Sequence, residues 1–238
     1  MQEYTQARKT ELSERVQAVQ EDLAEAAKKA GRAASDVTLV AVSKLHPASD
    51  IAALADAGHL DFGENYVQEA AGKQEALQGL DVRWHFIGGL QSNKAKFVAG
   101  NFELVHSVDS LKLAKKLAAK AAERGTVQDV LIQASLAGEE QKSGAEADEL
   151  ERLVAEASEL DGLRVRGLMT MPPFFDEPER ARPFFARLRE LREGIGQRLG
   201  ISLPHLSMGM TGDFVPAVEE GATLVRVGTR IFGARPPK

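Results

Sequence analysis

The chain has 238 residues, 43% of them hydrophobic and 27% charged, a balance that suits a soluble globular protein with a full core. A formal net charge of −5 gives no overall basic surplus for nucleic acid or an anionic membrane surface, so neither is expected as a partner. The absence of cysteine excludes disulfides, thiolate metal sites and cysteine nucleophiles, and it accords with a reducing cytoplasm. Residues 1–9 lack a basic stretch followed by an apolar run, and no run reaches the roughly 18 apolar residues of a spanning helix, so the expected location is cytoplasmic.

Leu12, Val16, Val19, Leu23 and Ala26 recur at spacings of three and four, which predicts an amphipathic helix over 3–30 stopped at Gly31. Residues 39–42 read as a buried strand that ends at Lys44, because Pro47 forbids its continuation as a central strand. Ser49 or Asp50 can cap a helix to Ala57, and Gly58 ends it before a short strand at 60–62. The alternation continues with helices near 66–78, 92–98, 110–124, 145–160, 178–199 and 213–220. Strands are predicted between them at 83–87, 104–107, 129–135, 165–169, 205–207 and 223–227. That makes eight strands over a length close to the roughly 250 residues of a (β/α)8 barrel. An open doubly wound sheet obeys the same alternation, so alternation alone leaves the two level. No linker or repeat divides the chain, and one domain over 1–238, with the 1–31 helix preceding strand one, is the expectation.

Polar residues gather just after the predicted strand ends: Lys44, Gly63-Glu64-Asn65, Gly88 to Lys94, Ser207 to Gly212 and Gly228-Thr229. In a barrel these loops share the C-terminal face, where binding and catalytic groups collect. The loops after strands seven and eight frequently hold phosphate in barrels, because glycine lets backbone N–H groups approach an anion. Ser207, Gly228 and Thr229 are thus candidates for a phosphate cradle, against the alternative that their glycines only make turns. Arg226 lies within an apolar strand and needs a partner or a ligand, the alternatives being a carboxylate of the barrel and the ring of that same ligand. Lys44 is either a solvated loop residue or a desolvated, nucleophilic amine. An aromatic aldehyde with a phosphate arm would answer all three features, and pyridoxal 5′-phosphate (PLP) is such a molecule, with Lys44 as its Schiff-base lysine.

Several blocks in order carry a family resemblance: Ala41-Val-Ser-Lys44, Phe62 to Glu69, Trp84-His-Phe-Ile-Gly88, Leu90 to Lys94, Lys142-Ser-Gly144, Gly167-Leu-Met169, Leu206 to Met210, Val225 to Thr229 and Ile231-Phe-Gly233. The chain resembles the PLP-binding proteins of pyridoxal phosphate homeostasis over nearly its whole length. The resemblance implies a single fold-type III barrel similar to the N-terminal domain of alanine racemase, with PLP in a Schiff base to Lys44. It also implies Arg226 near the pyridine nitrogen, Asn65 lining the pocket, phosphate contacts from Ser207, Gly228 and Thr229, and Met208 of the same block at the cofactor. Gly89 stands where the family usually has proline, and Thr211-Gly212-Asp213 where it usually has serine and an acidic pair.

An arginine at the pyridine nitrogen disfavours its protonation and leaves a weaker electron sink. The chain ends soon after strand eight, without the second domain of a racemase, and Tyr66 is the one candidate for a substitute acid/base. The expectation is a monomeric PLP carrier serving PLP-accepting apoenzymes; a small PLP-dependent racemase or lyase is the alternative. Gly194 to Gly200 mimics a dinucleotide loop but closes a helix, and the Lys112, Lys115, Lys116, Lys120 stripe reads as a solvated face. His46, His59, His85, His106 and His205 show no metal-ligand spacing, so no metal is expected, and Lys142 reads as a surface lysine, with a relay or secondary aldehyde acceptor as the alternative.

Overall fold

The computed structural model describes residues 3–136 and 144–234. Helix α1 (Gln6–Lys29) begins at Thr5, whose side chain accepts the Arg8 N–H, and it buries the predicted apolar stripe together with Ala27. Eight strands then form the barrel: β1 (Thr38–Val42), β2 (Asp61–Glu64), β3 (Arg83–Phe86), β4 (Leu104–Val108), β5 (Gln128–Ser135), β7 (Leu163–Thr170), β8 (His205–Met210) and β9 (Leu224–Val227). The two-residue β6 (Ala145–Glu146) pairs with β5 alone. β1 pairs with both β2 and β9, and a β4–β5 ladder joins the two ends of the sheet, so the sheet closes. All ladders are parallel, which excludes the open sheet and brings every strand's C-terminal end to one mouth.

The connections are helical: α2 (Ala48–Asp56), α3 (Val67–Ala76), α4 (Ala95–Val98), α5 (Leu111–Glu123), α6 (Ala147–Ser158), α7 (Arg182–Leu199), α8 (Phe214–Glu219) and α9 (Thr229–Phe232). Alternate strand residues divide between two cores, as a period of two requires. Leu39, Ala41, Val105, Ile132, Leu168 and Val225 join the large layer under the helices, whereas Val40, Leu104, Leu131, Met169 and Leu224 form a separate cluster inside the barrel.

Several expectations change. Neither Ser49 nor Asp50 caps α2: Pro47 precedes it at φ −69°, and Asp50 in the first turn accepts two bonds from Arg8, at 3.1 and 2.7 Å, that tie α1 to α2. The helix expected at 92–98 opens with a 3₁₀ turn, Ser92–Lys94. The strand expected to stop at Ser207 runs on to Met210. Gly200, at φ +65°, caps α7, so the glycine-rich run is a helix end.

Candidate functional site

A cavity of about 530 Å³ opens at the C-terminal mouth, a size suited to a small organic ligand. Its wall contains Lys44, Asn65, Arg226, Gly228 and Thr229 from the predicted set, brought together from β1, β2 and β9. Met171, Pro172, Phe174 and Phe175, which follow β7, add an apolar side. Ser207 and Met208 lie elsewhere: both are fully buried within β8, Met208 under the helices and Ser207 beside Arg226. The part of this segment that reaches the cavity is Met210 to Asp213: within the Ser207 to Gly212 loop expected at this face, Thr211 and Gly212 line the wall in place of Ser207, and Asp213, just beyond it, joins them.

The displacement has a local cause. Ser207 pairs with Leu224 but Met210 with Arg226, so three steps along β8 match two along β9, a bulge. Gly209 provides the needed left-handed φ of +89°, and a Cβ there would stand 2.6 Å from the Ala217 Cβ. The bulge carries the chain past Ser207 before it enters the loop. Thr211 Oγ1 then accepts the Gly228 N–H at 3.3 Å, joining the two glycine-bearing loops. Asp213 Oδ1 accepts the Met210 N–H at 2.6 Å, and burial pushes the Asp213 carboxyl above its ordinary value.

Lys44 sits in a turn directly after β1, followed by Leu45 at φ +65°, the one non-glycine positive φ among the described residues. Such a conformation costs about 1–2 kcal/mol, so its surroundings must hold it. They do so through a buried ion cluster. Lys73 Nζ donates to the Ser43 carbonyl at 2.7 Å and to Glu64 and Glu69 at 2.6 Å each, while Glu69 accepts the Leu45 N–H at 2.5 Å. Both backbone neighbours of Lys44 are thereby anchored. Burial pushes the Glu64 carboxyl upward, against the opposing pull of Lys73 and the Ser43 hydroxyl.

Asn65 is placed by Gly88, where a Cβ would stand 2.2 Å from the Asn65 carbonyl oxygen, so only glycine permits this approach. The Asn65 Oδ1 is buried and has no hydrogen-bond partner, although its residue lines the cavity. A buried polar atom of this kind calls for a ligand. Tyr66, next in sequence, is half exposed.

Arg226 lies inside the barrel, 4% exposed, and donates from Nη1 to Ser207 Oγ and from Nη2 to the Thr170 carbonyl at 3.0 Å. Burial pushes it down to about 10, which leaves it cationic at neutral pH. An amine, a fixed cation, an unsatisfied amide and two glycine-bearing loops therefore share one cavity with an apolar wall. Lys142 lies outside the described residues. Lys112, Lys115 and Lys116 are exposed on α5, and His46 stacks on Phe232 with ring centroids 4.9 Å apart.

Residues 15–236 match the family described as alanine racemase, N-terminal domain. The pyridoxal phosphate homeostasis protein of Aquifex aeolicus is 45% identical, the alignment covering 93% of this chain and 97% of that one. Among solved structures, PipY of Synechococcus elongatus with PLP bound is 36% identical at a TM-score of 0.83, covering 93% of this chain and all of the other. Alanine racemase of Corynebacterium glutamicum, 18% identical at a TM-score of 0.66, shares the fold over 93% of this chain and 62% of its own. A closed parallel barrel with an amine and an arginine at one mouth, and alignments that run nearly end to end, make this chain a member of the pyridoxal phosphate homeostasis family within the alanine racemase N-terminal fold.

Proposed function

We propose that the cavity binds pyridoxal 5′-phosphate, that Lys44 holds it covalently, and that the protein stores and supplies it as a cytoplasmic monomer. The observation that carries this reading is the convergence of Lys44, Asn65 and Arg226 with the Thr211–Gly212 and Gly228–Thr229 loops on one cavity. Lys44 Nζ would hold PLP through the aldehyde carbon that the cofactor would supply. Lys44 is the nucleophile, and its anchored turn keeps the amine at the mouth. Asn65 offers its unsatisfied amide oxygen as an acceptor to the ligand. The hydroxyls of Thr211 and Thr229, with the backbone at Gly212 and Gly228, provide the surroundings a phosphate needs. Arg226, cationic and buried, disfavours a second positive charge on a ring nitrogen placed against it. Ser207 acts through Arg226 and Met208 through packing.

A site that keeps its cofactor's ring neutral suits storage and transfer to PLP-accepting apoenzymes better than demanding carbanion chemistry. Among the described residues no helix is long and apolar enough to cross a membrane. Purified protein incubated with PLP is expected to be yellow and to give a borohydride-stable adduct on Lys44, both absent from Lys44→Ala. A colourless wild type would overturn PLP binding. Robust racemisation or keto-acid release from a panel of L- and D-amino acids would overturn the carrier reading in favour of a small racemase or lyase.

A further inference from the structure

A file of polar side chains crosses the barrel interior beneath the cavity. Arg226 Nη1 meets Ser207 Oγ; Ser207 Oγ lies 2.8 Å from His106 Nδ1; His106 Nε2 lies 3.0 Å from His85 Nδ1; and His85 Nε2 lies 3.1 Å from Asp61 Oδ1. Asp61, the first residue of β2, also accepts from Arg83 Nε at 2.8 Å and Nη2 at 2.6 Å at the opposite mouth. Ser207, His85 and His106 are no more than 3% exposed.

The two ends dictate the direction of every bond between them. A guanidinium can only donate, and an ionised carboxylate can only accept. Burial pushes the Asp61 carboxyl upward, but the bonds from Arg83 and His85 outweigh it and hold the group below the ordinary carboxylate range. Among the described residues Ser207 Oγ meets only Arg226, which can only donate, and His106 Nδ1, so its single proton goes to His106 Nδ1. Burial, reinforced by His85 and Arg226, holds His106 well below the usual imidazole range, so it is neutral and carries its proton on Nε2. That proton is donated to His85 Nδ1, which obliges His85 to donate from Nε2 to Asp61. All four bonds point the same way, an arrangement in which each polarises the next.

We infer that Asp61, His85, His106 and Ser207 are positioning residues that couple the Arg226 cation at the cavity, through a one-way file of hydrogen bonds, to the Asp61–Arg83 ion pair at the far mouth. The consequence for the ligand rests on the PLP reading above; the file itself does not. Among the described residues no carboxylate is bonded to Arg226; Asp213 of the cavity wall is the carboxylate whose charge acts on it, and the Asp61–Arg83 pair reaches it through oriented dipoles.

The test has two arms. In ligand-free, ¹⁵N-labelled wild-type protein at neutral pH, long-range imidazole correlation spectra are expected to show His85 and His106 both neutral with the proton on Nε2. A proton on Nδ1 of either ring, or an imidazolium, would overturn the file. In PLP-loaded protein, Ser207→Ala and Asp61→Asn are each expected to shift the visible absorption band. Each should also weaken PLP binding on the order of tenfold, the size of one hydrogen bond to a charged group. Asp61→Asn should add nothing in the Ser207→Ala background, because the file is already cut. Additive effects, or no effect of either change, would overturn the coupling. Failure of wild-type protein to take up PLP would sink the functional reading while leaving the first arm to decide the file.

Discussion

At the scale of single residues, the position of Lys44 depends on a different lysine. Lys73 is 6% exposed, Glu64 is fully buried, and together with Glu69 they hold the backbone on both sides of Lys44. Removing one partner of a buried pair leaves an uncompensated charge, which is far costlier than the pair itself is favourable. Lys73→Met is therefore expected to destabilise the protein by about 3 kcal/mol in urea unfolding. Adding Glu64→Gln should recover part of the loss by removing the stranded carboxylate. The same single change should slow formation of the borohydride-trapped adduct, because Leu45 at φ +65° loses the restraint that keeps it there.

At the scale of elements, the informative piece is the end of β8. A single left-handed glycine makes the bulge that sends Thr211 to Asp213 into the cavity and keeps Ser207 below it. Gly209→Ala would combine an unfavourable φ with a Cβ only 2.6 Å from Ala217, and it is expected to cost about 2–4 kcal/mol. Gly212→Ala, three residues on, meets no atom within 4 Å and has no left-handed φ, so it should change stability by less than about 1 kcal/mol. Equal costs for the two, measured by urea unfolding, would show that the bulge is not what the glycine at 209 maintains.

At the scale of the whole molecule, the barrel carries a polar interior that ties stability to pH. His106 is held neutral in the folded state well below its ordinary range by burial, then by His85 and Arg226. Below about pH 6.5 the unfolded chain binds a proton at this residue that the folded chain refuses, so stability falls as pH falls. Glu64 contributes with the opposite sign, since burial pushes its carboxyl up and protonation favours the folded form. Comparison with a His106 variant cancels that contribution. Wild type is expected to lose stability below about pH 6.5 more steeply than His106→Gln, with a limiting difference of about 1.4 kcal/mol per pH unit. Parallel pH profiles would show that His106 is not the titrating group.

Much of this was legible in the sequence because it follows from local rules. The 3.6-residue stripe of α1, the eight alternating strands, and the glycines and proline that end elements all act within a few residues, and the ordered blocks located Lys44, Asn65, Arg226, Gly228 and Thr229. What the chain's own spacing could not express are contacts between residues far apart in it. Closure through the β4–β5 ladder, the extra residue of β8 opposite β9, and the file from Asp61 to Arg226 are of that kind. His85 and His106, 21 residues apart, looked like scattered strand residues without ligand spacing. They became partners because barrel closure points alternate side chains from every strand into one interior, where each buried polar group must find another. The amino-acid sequence by itself determined which residues could carry chemistry at the mouth; the closed barrel decided which of them touch the ligand cavity and which stand behind those that do.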